Sequence, residues 1–256
     1  MIQKIVLVGS GNLATQLGKA FRKNGLDVVQ VYSRSEKAAK ALAHVLECPY
    51  TTKLDELVQC DLCVVSVKDD ALETVLRQIQ LETTVVHTAG SIPMELLSGY
   101  FEKFGVFYPL QTFSKQRDVD FSNIPICLEA SSDDVFSDLQ ALGKKLSTSV
   151  QPVNSEERKV LHLAAVFTCN FVNHCYRIGD SMLEEKGLRF DLLKPLIQET
   201  AQKVMGMKPI DAQTGPAVRM DETIINKHLD LLADHSRQKA IYQLMTESIY
   251  KTQNTK

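Results

Sequence analysis

Residues 4 to 21 read KIVLVGSGNLATQLGKAF. The β-branched run Lys4 to Val8 stops at a glycine turn, and Leu13, Leu17, Ala20 and Phe21 then recur at the spacing of one helix face. The passage is therefore strand, turn, helix. Asp27 to Tyr32 reads as a second strand and Lys37 to Leu46 as a second helix, which completes a βαβ unit. Leu62 to Val67 and Thr84 to His87 are further apolar runs, separated by a helical stretch from Asp70 to Ile79 with a polar outer face. Such alternation implies a parallel sheet. Gly105 to Leu110 and Ile124 to Leu128 are expected to extend it, followed by a helix over Ser132 to Leu146 and a strand over Thr148 to Val153.

The glycine turn carries chemistry. A dinucleotide needs backbone close to its pyrophosphate and free N–H groups aimed at it, and a strand, glycine turn and helix N-terminus provide both. Gly9 would make the tight turn and Gly11 the close approach, with Ser10, Asn12 and Leu13 completing the cradle and Ala14 packing the helix on the strand. The string GxGxxA is common by itself; the strand before it and the amphipathic helix after it give it meaning. A site for NAD usually places Asp or Glu about twenty residues on, to bind the ribose 2′-hydroxyl. This chain has Ser33-Arg34-Ser35 there. A guanidinium between two hydroxyls suits a 2′-phosphate, and no carboxylate is present to repel one, so NADP(H) is the expected cofactor. The plainer reading keeps Ser35 as the cap of the next helix and Arg34 as a solvated side chain. Two more strand-end turns fall where an open parallel sheet places its ligand crevice. Val67 and Lys68 are read on the adenosine side, and Thr88 and Gly90 near the nicotinamide. Asp69 or Asp70 reads equally as a helix cap, and His87 as a hydrogen-bonded strand-end residue.

After Asn154 the periodicity is helical throughout. Asn154 or Ser155, with Glu156 and Glu157 behind it, looks like an N-cap with acidic residues where the helix dipole favours them. Helices are expected to about Glu185, ending at Gly187, then over Asp191 to Met205 and over Asp221 to Tyr250, with a frayed tail from Thr252. The fold class is an α/β N-terminal Rossmann domain with a mostly parallel sheet over residues 1–153, followed by an all-α C-terminal domain over residues 154–256. Composition agrees with an ordinary globular protein: 29 basic against 31 acidic residues leave no electrostatic footprint for nucleic acid. Neither a signal peptide nor a membrane span is expected, which makes the cytoplasm the expected default location. The six cysteines are scattered through apolar segments, and the lone CxxC at Cys60 and Cys63 has no second pair, so no metal site is expected.

His162, Val166, Asn170, Asn173 and Arg177 project from one helix face. This polar stripe either faces the cofactor crevice or forms a solvated face or a polar seam in a dimer. In the first case His162 is a proton donor or acceptor and Asn170 orients substrate. The segment TGPAVRMD, residues 214 to 221, reads as a helix start with a cap at Asp221, where Arg219 could take an anionic group and His228 could line the same pocket.

At these motifs the chain resembles a known family of Rossmann-like proteins whose C-terminal half is the domain of unknown function 2520, relatives of pyrroline-5-carboxylate reductase and 6-phosphogluconate dehydrogenase. The resemblance rests on GSGNLA, VSVKDDAL at 65 to 72, HTAGS at 87 to 91, YPLQTF at 108 to 113, HLAAVFTCN at 162 to 170 and TGPAVRMDETIINKHL at 214 to 229. It implies an NADP-dependent oxidoreductase whose relatives dimerise through the helical domain. Two positions depart from the family pattern: Tyr108 stands where histidine is usual, and Arg219-Met220-Asp221 where RGD is usual. The expectation is a homodimeric NADP(H)-dependent reductase or dehydrogenase acting on a small C=N or C=O substrate between the two domains, with His162, Asn170 and Arg219 as its catalytic group. The rival is a catalytically silent NADP-binding sensor or assembly module, which Tyr108 makes credible.

Overall fold

A computed structural model describes residues 1–254. Eight strands form one sheet: β1 (Lys4–Val8), β2 (Asp27–Tyr32), β3 (Tyr50–Thr51), β4 (Leu62–Val65), β5 (Thr84–His87), β6 (Phe104–Pro109), β7 (Ile126–Ala130) and β8 (Val150–Pro152). Their order is β3-β2-β1-β4-β5-β6-β7-β8. Every neighbouring pair is parallel except β6 and β7, which run antiparallel with Tyr108 opposite Cys127. The chain leaves β1 toward one side of the sheet and returns as β4 on the other, so the crevice of an open parallel sheet opens between their carboxyl ends.

The helices α1 (Asn12–Lys23), α2 (Glu36–Leu46), α3 (Asp69–Leu76) and α4 (Asp133–Leu146) connect these strands. They cover both faces, which is why β1 is apolar at consecutive positions. Ile5 and Leu7 pack with Leu17, Phe21 and Leu42 on one face, while Val6 and Val8 pack with Leu72, Val75 and Leu76 on the other. Burying side chains of this size contributes about 1.5–3 kcal/mol each. Gly18 lets α1 meet α2, since a Cβ there would lie 2.6 Å from Leu46 Cδ1.

The chain divides into two compact units, the first covering Met1–Cys169 and the second beginning at Asn170. The first unit includes α5 (Ser155–Ala165). Asn154 caps this helix in a capping box with Glu157. The helix expected to run unbroken to Glu185 passes through a π-helical segment, Val166–Phe171, before α6 (Val172–Glu184). Thr168 Oγ1 donates to the Ala164 carbonyl inside this stretch, the kind of back-bond that distorts helices.

The regular elements among the described residues of the second unit are all helices, among them α6, α7 (Lys194–Gly206), α8 (Pro209–Ala212), α9 (Glu222–Leu231) and α10 (Ser236–Asn254). The single helix expected over Asp221 to Tyr250 is broken at Leu232 to His235. No Gly or Pro marks the break; Asp234, His235 and Ser236 are weak helix formers, and the His235 N–H turns back to the Leu232 carbonyl at 3.0 Å. The last helix persists to Asn254 instead of fraying at Thr252, and the final two residues of the expected tail lie outside the described residues. Asp221 caps α9, as its position predicts, and Met220 before it is left-handed at φ 49°. Among the described residues of this unit only Ala217, Ile225, Leu232 and Thr246 are buried. All six cysteines are free, and Cys169 and Cys175 are exposed although they lie in apolar stretches of sequence.

Candidate cofactor and active site

A groove of about 560 Å³ runs along the carboxyl ends of β1, β2, β4, β5 and β6. This lies within the roughly 300–1,000 Å³ of small-molecule and cofactor sites. A larger cavity of about 730 Å³ sits at the opposite ends of the strands, beside Ile2, Asp61 and Thr84, where a parallel sheet does not place its ligand.

At the centre of the groove is the glycine turn. Gly9 has φ +127°, and a Cβ there would lie 2.1 Å from the Ser66 carbonyl oxygen, so the β1 and β4 chains can meet only at glycine. Gly11 differs. Its backbone is extended at φ −73° and a Cβ would meet nothing within 4 Å, so neither packing nor strain requires glycine there. The space it leaves belongs to the groove. No side chain caps the start of α1, and its first amides are left for an anion. The turn therefore fits a pyrophosphate.

The surrounding turns are braced to one another. Ser10 Oγ donates to Ser33 Oγ at 2.8 Å, and Ser91 Oγ donates to the Asp69 carboxylate. Asn12 Nδ2 donates to the Phe113 carbonyl at 2.9 Å and Gln16 Nε2 to the Ser114 carbonyl at 2.7 Å, fastening the loop after β6 across the start of α1. Arg34 lines the groove, is exposed, and makes no ion pair or hydrogen bond among the described residues. Ser35 does not line it; its hydroxyl accepts from the Ala38 N–H at 3.4 Å as the cap of α2.

Thr88 and Gly90 form the other end, beside Tyr108 and His162. Tyr108 Oη lies 3.0 Å from His162 Nδ1. A Cβ at Gly90 would fall 2.5 Å from that same nitrogen, so Gly90 is small because His162 lies on it. Burial pushes the Tyr108 hydroxyl up to about 12, and it stays protonated. Tyr108, the departure from the family pattern, is thus half of a Tyr–His pair facing the groove.

His87 does not line the groove. It is fully buried, and its Nδ1 accepts from the Ala89 N–H at 3.1 Å, so it shapes the turn that carries Thr88 and Gly90. Burial first, and the Arg158 charge second, lower its pKa from 6.5 to about 3. Between those values an unfolded chain takes up a proton that the folded protein refuses, so stability falls as pH falls, by up to about 1.4 kcal/mol per pH unit. In His87→Gln this contribution to the acid slope should vanish in circular-dichroism unfolding curves recorded from pH 7 to 4; parallel curves for the two proteins would contradict it.

Of the residues expected at the cofactor, Gly9, Ser10, Gly11, Asn12, Leu13, Ser33, Arg34, Val67, Lys68, Thr88 and Gly90 all line the groove, together with His162. Asn170 and Arg219 belong to the second unit, and both are exposed. Gln111 and Phe113 line the groove unforeseen. They fall inside YPLQTF, but nothing in their spacing says that the loop folds back over α1. Among the described residues no cluster of His, Cys, Asp and Glu could hold a metal, and no helix is long and apolar enough to cross a membrane.

Comparison with known proteins places this geometry. Residues 4–89 match the model of the NADP oxidoreductase, coenzyme F420-dependent family, and residues 124–249 match the domain of unknown function 2520. No curated protein matches the chain. Among solved structures, a Bacteroides fragilis protein assigned as an NADP oxidoreductase is 48% identical over 98% of both chains, with a TM-score of 0.93. Two more distant structures share the fold. The 1-pyrroline-5-carboxylate reductase of Streptococcus pyogenes is 16% identical over 96% of this chain and 98% of its own, with a TM-score of 0.67. The imine reductase of Myxococcus stipitatus, solved in complex with NADP+, is 16% identical over 97% of this chain and 92% of its own, with a TM-score of 0.65. The chain belongs to the NADP oxidoreductase family in which a Rossmann-type N-terminal half precedes the domain of unknown function 2520.

Proposed function

We propose that this oxidoreductase uses NADP(H) to reduce, or in reverse to oxidise, a small C=N or C=O substrate. The observation that carries the reading is the continuity of one groove from the unpaired Arg34, past Gly11, to the Tyr108–His162 pair. The turn Gly9 to Leu13 would hold the pyrophosphate, Ser33 and Arg34 the 2′-phosphate, and Val67, Lys68, Thr88 and Gly90 the remaining walls. When bound, the cofactor supplies the hydride chemistry. His162 exchanges the accompanying proton with substrate, and Tyr108, hydrogen-bonded to its Nδ1, fixes the ring. The roles read for Asn170, which would orient substrate, and Arg219, which would take an anionic group, are part of the same proposal.

Arg34 gives the most direct test of the cofactor. In Arg34→Ala the loss of a charge-assisted contact should weaken NADPH binding by about 10- to 100-fold while NADH binding changes little. Fluorescence titration with both nucleotides measures the ratio, and equal losses would remove the 2′-phosphate assignment. Turnover is tested by NADPH oxidation across a panel of imines, keto acids and aldehydes. Tight NADPH binding without turnover on any of them would favour the sensor reading.

The helical unit pairs with a second copy in this proposal. A helical region with so few buried residues lacks a core of its own, and it exposes an apolar groove lined by Ile178, Met182, Leu231, Ile241 and Met245. Leu231 is 73% exposed. Leu231→Asp should shift the native dimer to monomer in light scattering, and a native protein that is already monomeric at micromolar concentration would reject the pairing.

A further inference from the structure

The first turn of α5 carries a buried ionic cluster. Arg158 is 1% exposed. Its Nη1 pairs with the Glu129 carboxylate on β7, and its Nη2 donates to the Ile92 carbonyl at 2.7 Å and to Ser155 Oγ at 3.1 Å. Ser155 donates its N–H to Glu129 Oε1 at 3.0 Å and its hydroxyl to Oε2 at 2.8 Å, and it accepts from the Met94 N–H at 2.9 Å. Three segments meet here: the end of β7, the stretch Ile92 to Met94 that follows the Gly90 turn, and the start of α5. Desolvation cancels much of the Coulomb gain of such a pair, so its main effect is on geometry. Among the described residues Arg158 Nε has no hydrogen-bond partner.

His162 lies four residues beyond Arg158, one turn along the same face of α5. The same loop that Arg158 and Ser155 grip at Ile92 and Met94 carries Gly90, on which the His162 ring rests. The height and rotation of α5 against this loop are therefore set at Arg158 and read out at His162. We propose that Arg158, through Glu129 and Ser155, is the positioning residue that brings His162 onto Tyr108. The inference rests on reading that pair as the proton-handling end of the nucleotide groove. The field of the Arg158 charge also reaches His87 on β5, Tyr108 on β6 and Cys127 on β7, and that of Asp69 on α3 reaches Tyr108.

The test is nitrogen-15 NMR of the histidine side chains in the full chain, with the His162 signals identified by their loss in His162→Asn. The native protein should show one fixed His162 tautomer. In Arg158→Met the His162 shifts should move toward those of a mobile, solvent-averaged imidazole, while the NADPH dissociation constant stays within about twofold. On a substrate found in the panel, kcat should fall on the order of 10- to 100-fold with little change in KM for NADPH. Arg158→Lys, which keeps the charge but loses the fork, should restore part of the signal. Unchanged His162 shifts in a folded Arg158→Met protein overturn the proposal. If that variant does not fold, Glu129→Gln and Ser155→Ala take its place, and unchanged shifts in both overturn it equally. A native protein that fails to bind NADPH would refute the proposed function, whereas the NMR comparison would still decide the positioning role.

Discussion

His162→Ala should lower turnover by about 10²- to 10⁴-fold, the range for loss of a positioned proton donor, while NADPH binds almost as tightly as before. The separation follows from where the residue sits. His162 reaches the groove only beside Gly90 and Tyr108, away from Arg34 and the glycine turn. Losing its ring removes proton exchange but leaves the expected phosphate contacts in place. Tyr108→Phe is the companion variant. It keeps the aromatic body in a buried position and deletes the hydroxyl that meets Nδ1 at 3.0 Å, so its loss should be smaller. NADPH oxidation on the best substrate of the panel, with binding measured separately, reads both. Native turnover in His162→Ala would show that the proton comes from elsewhere.

Gly9→Ala and Gly11→Ala should fail in opposite ways. At Gly9 the new methyl would stand 2.1 Å from the Ser66 carbonyl oxygen and 2.8 Å from its carbon, on a backbone at φ +127°. Neither atom can yield, because Ser66 N–H donates to the Val8 carbonyl at 2.7 Å and the two strands are paired in register. Strain and clash together should cost about 3–5 kcal/mol, a fall in Tm on the order of 10 °C for the sheet-bearing unit, or loss of soluble protein. At Gly11 there is nothing to strike, so the fold should keep its Tm. Yet the methyl would occupy the space where a pyrophosphate approaches the backbone, and NADPH affinity should drop by about 10²-fold or more. Thermal scans with and without NADPH distinguish the two. A Gly11→Ala protein that NADPH still stabilises as it does the native one would remove the pyrophosphate from this turn.

Much of the first unit is legible because burial on both faces writes itself into sequence. Ile5 to Val8 must be apolar at consecutive positions when helices cover both sides, and Leu17 and Phe21 must recur on one helix face. Strand direction has no such signature. The pattern of Ile126 to Leu128 is the same whichever way the strand runs, and only tertiary pairing sets it antiparallel to β6. The π-helical segment is not legible for a similar reason: Val166 to Phe171 consists of weak helix formers, but that does not distinguish a π-turn from an α-turn, and the i→i+5 pairing shows only in the hydrogen bonds. At the groove, the glycines and Arg34 could be read because each is the residue type its position needs. Arg158 could not: a charged residue near a helix start reads as solvated until Glu129, far away in sequence, is brought beside it.

The contact between Gly90 and His162 ties two distant codons together. A mutation that adds a side chain at residue 90 must displace the imidazole, and one that shortens residue 162 leaves a hollow above the turn. Neither step alone preserves the packing, whereas the double exchange, alanine at 90 with a smaller residue at 162, relieves the clash and fills part of the hollow. In a lineage that gave up proton transfer but kept the nucleotide groove, the two positions are expected to change as a linked pair, leaving a covariation signature of lost catalysis.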